Sequence, residues 1–327
     1  MSEFVRARRL AAGLVGLSLL AAAVASGVTP SAATTGPCGG LTPPANGSPS
    51  YSHIVVVMDE NVSYATFQKT ADAPYLHALA SQCGSETFMH AATHPSQPNY
   101  MAATSGKATG VGVHTANANI FQQAQAHSDT WKSYEESMPA SCAANSGFYK
   151  SGHNPAFWYT NLRSPSNTCL LYDVPLAPAL DTDIENDSLP SFSWITPNAC
   201  NDMHGLSSCS QPSSQRIAVG DAWLSDLIPR LTALPSYQAG QTLILVVWDE
   251  GNGAGPAGAD CTDPAVYSNQ PSCRIPTIVV SPYVQPGVTD SGDHNLYALL
   301  GDMEDILGYP RLGRAVGQPS MRPGLGF

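Results

Sequence analysis

Apolar residues in this chain gather in short unbroken runs separated by longer stretches of helical spacing. Residues 53–58 (HIVVVM) and Thr242–Trp248 (TLILVVW) are continuous and β-branched, the pattern of strands buried on both faces. Residues 191–196 (SFSWIT) and 276–281 predict two further short strands. After Asp72, Pro74, Leu76 and Leu79 begin a helical pattern. A stronger one runs over 217–234 through Trp223, Leu224, Leu227, Ile228 and Leu231. The last starts at Asn295, passes Leu299, Leu300, Met303 and Ile306, and stops at Gly308. Residues 120–137 predict one more amphipathic helix, carried by Ile120, Phe121, Ala124, Trp131 and Tyr134. Residues 139–187 show no period and many Pro, Asn and Ser, and read as a long insertion. Strands alternating with helices, without an internal repeat, predict an α/β fold: a mainly parallel sheet covered by helices on both faces.

The first residues change the picture of where this fold works. Arg6, Arg8 and Arg9 precede an apolar run over 10–24, and small residues follow to position 33, the three parts of a secretory signal peptide. The run is shorter than the roughly 20 residues needed to span a bilayer, so a secreted chain without a stable membrane anchor is expected. Residues 34–50, rich in Gly, Pro, Thr and Ser, form a leader segment, 51–312 the main domain and 313–327 a tail. All eight cysteines follow position 33, an even number in an exported chain, which implies disulfides rather than a zinc site. Pairing in chain order is the expectation, because 200 with 209 and 261 with 273 close short loops. A monomer is expected.

Composition narrows the partners. The chain holds 14 Lys and Arg against 25 Asp and Glu, a net charge of −11, which excludes nucleic acid as an electrostatic partner. An anionic substrate would need a local positive element. In open α/β sheets ligands bind beyond the carboxyl ends of the strands. After the first strand come Asp59, Glu60 and Asn61; after SFSWIT come Asn198, Asp202 and His204; after TLILVVW come Asp249 and Glu250. In a chain only 12% charged, acidic groups concentrated at these places would repel one another, and a divalent cation held by them would resolve the repulsion while binding phosphate.

Ser96 stands beside this set as a candidate nucleophile. Pro98 suits the first turn of a helix that Asn99 to Ser105 can continue, which puts Ser96 at a helix N-terminus favourable to an anion. Coordination to a cation would lower the pKa of its hydroxyl. Among the histidines, His204 and His294 are the candidates for phosphate contacts or for protonating the leaving oxygen, with His153 and His94 also near candidate segments.

Taken in order, Glu60-Asn61, residues 93–100 (THPSQPNY), 152–155 (GHNP), 196–198 (TPN), 202–205 (DMHG), 248–250 (WDE) and 293–294 (DH) resemble the phosphoesterase family that includes bacterial and fungal acid phosphatases and non-haemolytic phospholipases C, within the alkaline phosphatase superfamily. The resemblance covers 51–312. It implies an alkaline-phosphatase-like fold, one divalent metal held by Glu60, Asn61, Ser96, Asp249 and Glu250, and Ser96 as nucleophile. It further implies that His153, Asp202 and His204 line the phosphate pocket; Asn99 and His94 are the candidate substrate contacts, and His294 joins the candidate catalytic residues. The mostly oxygen ligand set favours calcium, magnesium or manganese, with zinc as the alternative, and a second metal would draw on His204, His294 and Asp202. The expected substrate is a small phosphate monoester. Phospholipase members carry Arg or Lys where this chain has Val62, and extra carboxyl-terminal domains not seen here, which counts against the rival reading of a phospholipase C-type phosphodiesterase. A third reading is an exported binding protein that has lost activity.

Overall fold

The computed structural model describes residues 36–45, 47–253 and 255–327; the expected signal peptide lies outside the described residues. Among the described residues, nine strands form one sheet: β1 (His53–Asp59), β2 (Gly84–His90), β3 (Trp131–Glu135), β4 (Asp173–Pro175), β5 (Phe192–Thr196), β6 (Thr242–Trp248), β7 (Arg274–Val280), β8 (Thr289–Asp290) and β9 (His294–Asn295). Their order is β4-β3-β5-β1-β6-β7-β2-β8, with β9 also paired to β2. The apolar runs that predicted β1 and β6 occupy the centre, and every residue of β6 is buried. All pairings are parallel except those of β7, which runs antiparallel to both β6 and β2. Residues on the flanking helices cover the sheet. The Pro74–Gln82 helix packs with the Arg216–Thr232 helix, and the Ser96–Ser105 helix with the Leu296–Leu307 helix. Asp221 accepts hydrogen bonds from the Tyr75 and Leu76 N–H groups at 3.1 and 2.8 Å, satisfying two otherwise orphaned donors at a helix start.

Several elements differ from the sequence pattern. The helix predicted over 120–137 ends at Ala126, Ser128 turns with φ 65°, and Trp131 and Tyr134 belong to β3, where large aromatic side chains fit the pleat. Strand β2 (GSETFMH) escaped the pattern because it is polar and buries a glutamate, Glu86. Residues 139–187 are not an insertion without structure. They contain β4 on the sheet edge and a helix over Leu176–Glu185, with short helical turns before them. Positions 313–327 are part of the packed unit: Met321, Leu325 and Phe327 are buried.

The cysteines pair in chain order as Cys38–Cys83, Cys142–Cys169, Cys200–Cys209 and Cys261–Cys273. The first ties residues 36–45 to the end of the Pro74–Gln82 helix. Among the described residues, no helix is long and apolar enough to cross a membrane.

Candidate active site

The register of the central strands decides where the acidic residues meet. Asp59 at the end of β1 pairs with Trp248 at the end of β6, so Glu60 and Asp249-Glu250 leave the sheet side by side. The Asp249 N–H donates to the Asp59 carbonyl at 3.0 Å, and the Glu60 N–H to the Asp202 carbonyl at 2.7 Å, which draws in the loop after β5. Asp59, Glu60, Asp202 and Asp249 are fully buried and Glu250 nearly so.

Ser96 begins the Ser96–Ser105 helix directly over this group. Its hydroxyl lies within donating distance of two carboxylates, Glu60 Oε2 at 3.0 Å and Glu250 Oε1 at 2.9 Å. Asn61 binds the same edge: its Nδ2 donates to Glu60 Oε2 at 3.1 Å and its backbone N–H to Asp249 Oδ1 at 3.3 Å. His94 Nδ1 bonds Glu250 Oε2, while His94 Nε2 faces Ser272 Oγ at 3.2 Å and the Cys261–Cys273 sulfurs. His153 lies between two acids, with Nε2 at 3.3 Å from Glu60 Oε1 and Nδ1 at 3.3 Å from Asp202 Oδ2, neither in hydrogen-bond alignment. Tyr100 stacks on the His153 ring, 5.5 Å between centroids and 6° apart in plane.

The electrostatics of this cluster are uncompensated. Burial raises the Asp59, Glu60 and Asp249 carboxyls well above the usual carboxylate range, and their acidic neighbours add to it: Asp202 and Asp249 for Asp59, Asp249 and Asp202 for Glu60, Glu250 for Asp249. Both Asp59 oxygens, Glu60 Oε1, Asp202 Oδ2 and Asp249 Oδ2 are buried and have no hydrogen-bond partner among the described residues. Among the described residues, no lysine or arginine forms an ion pair with these carboxylates; the contacting groups are His94 and His153. Orphaned hard oxygens of this kind fit a divalent cation of the calcium, magnesium or manganese type.

Some expected site residues are placed differently. His294 is not in this cluster: its Nδ1 bonds Glu86 Oε2 at 2.9 Å beside Asp290, because β9 pairs with β2 and carries the ring away from Ser96. Asn99 is fully buried and spent on its own loop, accepting from the Ala92 and Thr93 N–H groups at 2.9 Å each and donating to the Thr93 carbonyl. It shapes the segment before Ser96 and has no free face for substrate. His94 is likewise buried, engaged with Glu250. His204 is exposed, its Nδ1 on the Gly205 carbonyl at 2.9 Å. It lines a cavity of about 410 Å³ with Asn61, His94, Arg216, Glu250 and Asn252. Tyr100 and Arg216 were not among the expected site residues, and Asp59 was expected among the strand-end acids without being named as a ligand. Asp59 directly precedes Glu60 in the sequence, a signal that was there to use. Nothing in the local sequence marks Arg216, whose guanidinium reaches the Asn61 carbonyl at 3.2 Å from the start of a distant helix.

This sheet and its acidic edge define a class. Solved structures with the same fold include a protein in the alkaline phosphatase superfamily from Vibrio parahaemolyticus (TM-score 0.53, 14% identity, 84% of this chain and 73% of that one). Another is the phosphonate monoester hydrolase of Silicibacter pomeroyi (TM-score 0.52, 12% identity, 85% and 76%). Within that class the chain belongs to the phosphoesterase family, whose model matches residues 66–309, and it is a hydrolase of phosphate esters. It is 30% identical to the phosphatidylinositol-3-phosphatase of Mycobacterium tuberculosis, over 84% of this chain and 83% of that protein. It is 25% identical to an acid phosphatase of Aspergillus fumigatus, covering 81% of this chain but only 57% of the fungal protein.

Proposed function

We propose that the protein is an exported, metal-dependent phosphomonoesterase in which Ser96 is the nucleophile. The observation that carries this is the Ser96 hydroxyl, set at a helix start within 3.0 Å of two buried carboxylates, Glu60 and Glu250. The hydroxyl proton can be directed at one of these carboxylate oxygens, which leaves an oxygen lone pair for phosphorus. The residues that would hold the cation are Glu60, Asn61, Ser96, Asp249 and Glu250, with Asp59 and Asp202 supplying further buried negative charge. A bound divalent ion would supply positive charge to the phosphate oxygens and favour the serine alkoxide.

The chain's own groups account for the rest. Glu250, fixed by His94, is placed to accept the Ser96 proton, and the free N–H groups at the start of the Ser96–Ser105 helix suit an incoming anion. His204 and Arg216 on the cavity wall suit the phosphate oxygens, with His204 as donor to the departing alcohol oxygen. Water then cleaves the phosphoserine. Export is supported by four disulfides and by the basic and apolar start of the chain.

The test is Ser96→Ala on an aryl phosphate monoester. Turnover is expected to fall by at least about 10³-fold. Acid-quenched wild-type enzyme should carry a phosphoryl group on Ser96, visible by mass spectrometry. A variant with wild-type turnover would end the assignment, and faster hydrolysis of an aryl phosphocholine diester than of the monoester would move the enzyme to phosphodiesters.

A further inference from the structure

Two residues of the site stand in the left-handed backbone region without being glycine: Asn61, with φ 48°, and Met203, with φ 71°. Asparagine visits that region readily, but for methionine it is uncommon and persists only where the surroundings hold it. Each follows a fully buried acid, Glu60 in the loop after β1 and Asp202 in the loop after β5. The Glu60 N–H joins these loops by donating to the Asp202 carbonyl at 2.7 Å. One residue further along, a single side chain joins them again. Arg216 Nη1 donates to the Asn61 carbonyl at 3.2 Å and to the Met203 carbonyl, and its two N–H bonds suffice for both.

One helix supplies this support. Arg216 opens the Arg216–Thr232 helix, and one turn later Gly220 leaves room for the Met203 side chain, since a Cβ there would stand 2.4 Å from its Cγ. The two held peptides aim groups of the site. Asn61 directs its N–H to Asp249 Oδ1 and its Nδ2 to Glu60 Oε2, and the His204 N–H reaches Asp202 Oδ1 at 2.8 Å. Rotation of either peptide would misplace cation ligands on one side and a cavity-wall histidine on the other.

We infer that Arg216 is a positioning residue: by taking the Asn61 and Met203 carbonyls on one nitrogen, it fixes Glu60 and Asn61 against the loop of Asp202 and His204 and so sets the affinity for the cation. The inference rests on the metal-dependent reading and adds the residue that holds the ligands in place. The sign of one measurement separates this role from that of a charge facing phosphate. A guanidinium beside the site repels a divalent ion, so removing it as charge alone would tighten ion binding or leave it unchanged, whereas removing a clamp weakens binding.

The test titrates the full chain, stripped by a chelator, with manganese, magnesium or calcium by calorimetry in the absence of substrate. Arg216→Met keeps the apolar stem and removes the guanidinium. It should bind the ion about tenfold or more weakly than the wild type, the effect expected of a group that orients metal ligands. Arg216→Lys keeps the charge and a donor but ends one bond short of Nη1, so its affinity should fall between the two. Wild-type or tighter affinity in the folded methionine variant, or in the lysine variant where the methionine variant does not fold, overturns the clamp alone. A wild-type chain that binds none of these ions overturns the metal-dependent reading and the clamp with it.

Discussion

Gly220 offers a test in which helix propensity and packing predict opposite results. It lies in the Arg216–Thr232 helix, where replacing glycine by alanine normally stabilises by about 1 kcal/mol. Here an added Cβ would stand 2.4 Å from Met203 Cγ and 2.8 Å from the Asn201 carbonyl oxygen. Carbon contacts are optimal at about 3.5–4.0 Å, so the helix and the 201–203 loop must part by about 1 Å. Overpacking of that kind costs about 1–3 kcal/mol, which leaves Gly220→Ala destabilised by roughly 0–2 kcal/mol after the propensity gain. The displaced loop holds Asp202, whose carbonyl fixes the Glu60 N–H and whose side chain accepts from the His204 N–H at 2.8 Å. A misplacement near 1 Å in such a frame lowers turnover by about 10–100-fold. The assay pairs the thermal midpoint of the disulfide-intact variant with its kcat on an aryl phosphate. A raised midpoint with unchanged kcat, the outcome propensity alone predicts, would refute the packing argument.

Other substitutions probe the frame and its charges. Asn99→Ala should strand the Ala92 and Thr93 N–H groups and cost about 2–4 kcal/mol, read from denaturant unfolding; a loss under 1 kcal/mol would show that the loop holds itself. Glu304 is buried, and that burial raises its carboxyl from 4.5 to about 7, against the Leu312 N–H bonds that lower it. A raised acid binds its proton more tightly folded than unfolded, so its stability contribution is full below about pH 4.5 and lost as pH rises through about 7. Glu304→Gln should therefore gain on the wild type by roughly 2–3 kcal/mol between those limits, and parallel stability curves would contradict this. Removing divalent ions with a chelator should lower the thermal midpoint, and restoring an ion at about 100 times its Kd should return about 2.7 kcal/mol. A midpoint indifferent to both would argue against a cation held by Glu60, Asn61, Ser96, Asp249 and Glu250.

Much of the fold was legible because long apolar periods leave few alternatives. β6 coincides with its predicted run, and the last helix lies between Asn295, which caps it, and Gly308, which ends it in the left-handed region. The misses came where local pattern and burial part company. β2 is nearly polar, yet Glu86 can be buried there because His294 and the Phe88 N–H satisfy it. β3 continued the apolar spacing of the helix before it, and only the turn at Ser128 separates the two.

The sequence by itself determined the inventory: strands followed by acids, a serine opening a helix, cysteines that close short loops, and an acidic surface. These are properties of a few neighbouring residues, set by spacing, backbone preference and charge. Tertiary structure decided which of them meet. Strand order placed Asp59 against Trp248, and so Glu60 beside Asp249 and Glu250 under Ser96, although 190 residues separate Glu60 from Glu250. The same pairing of distant strands took His294 to Glu86, while Asn99 was buried in the loop before Ser96 and His94 was fixed to Glu250 at the cavity wall. Such choices depend on long-range register and on which polar groups find partners when water leaves, and neither is encoded in the spacing along the chain.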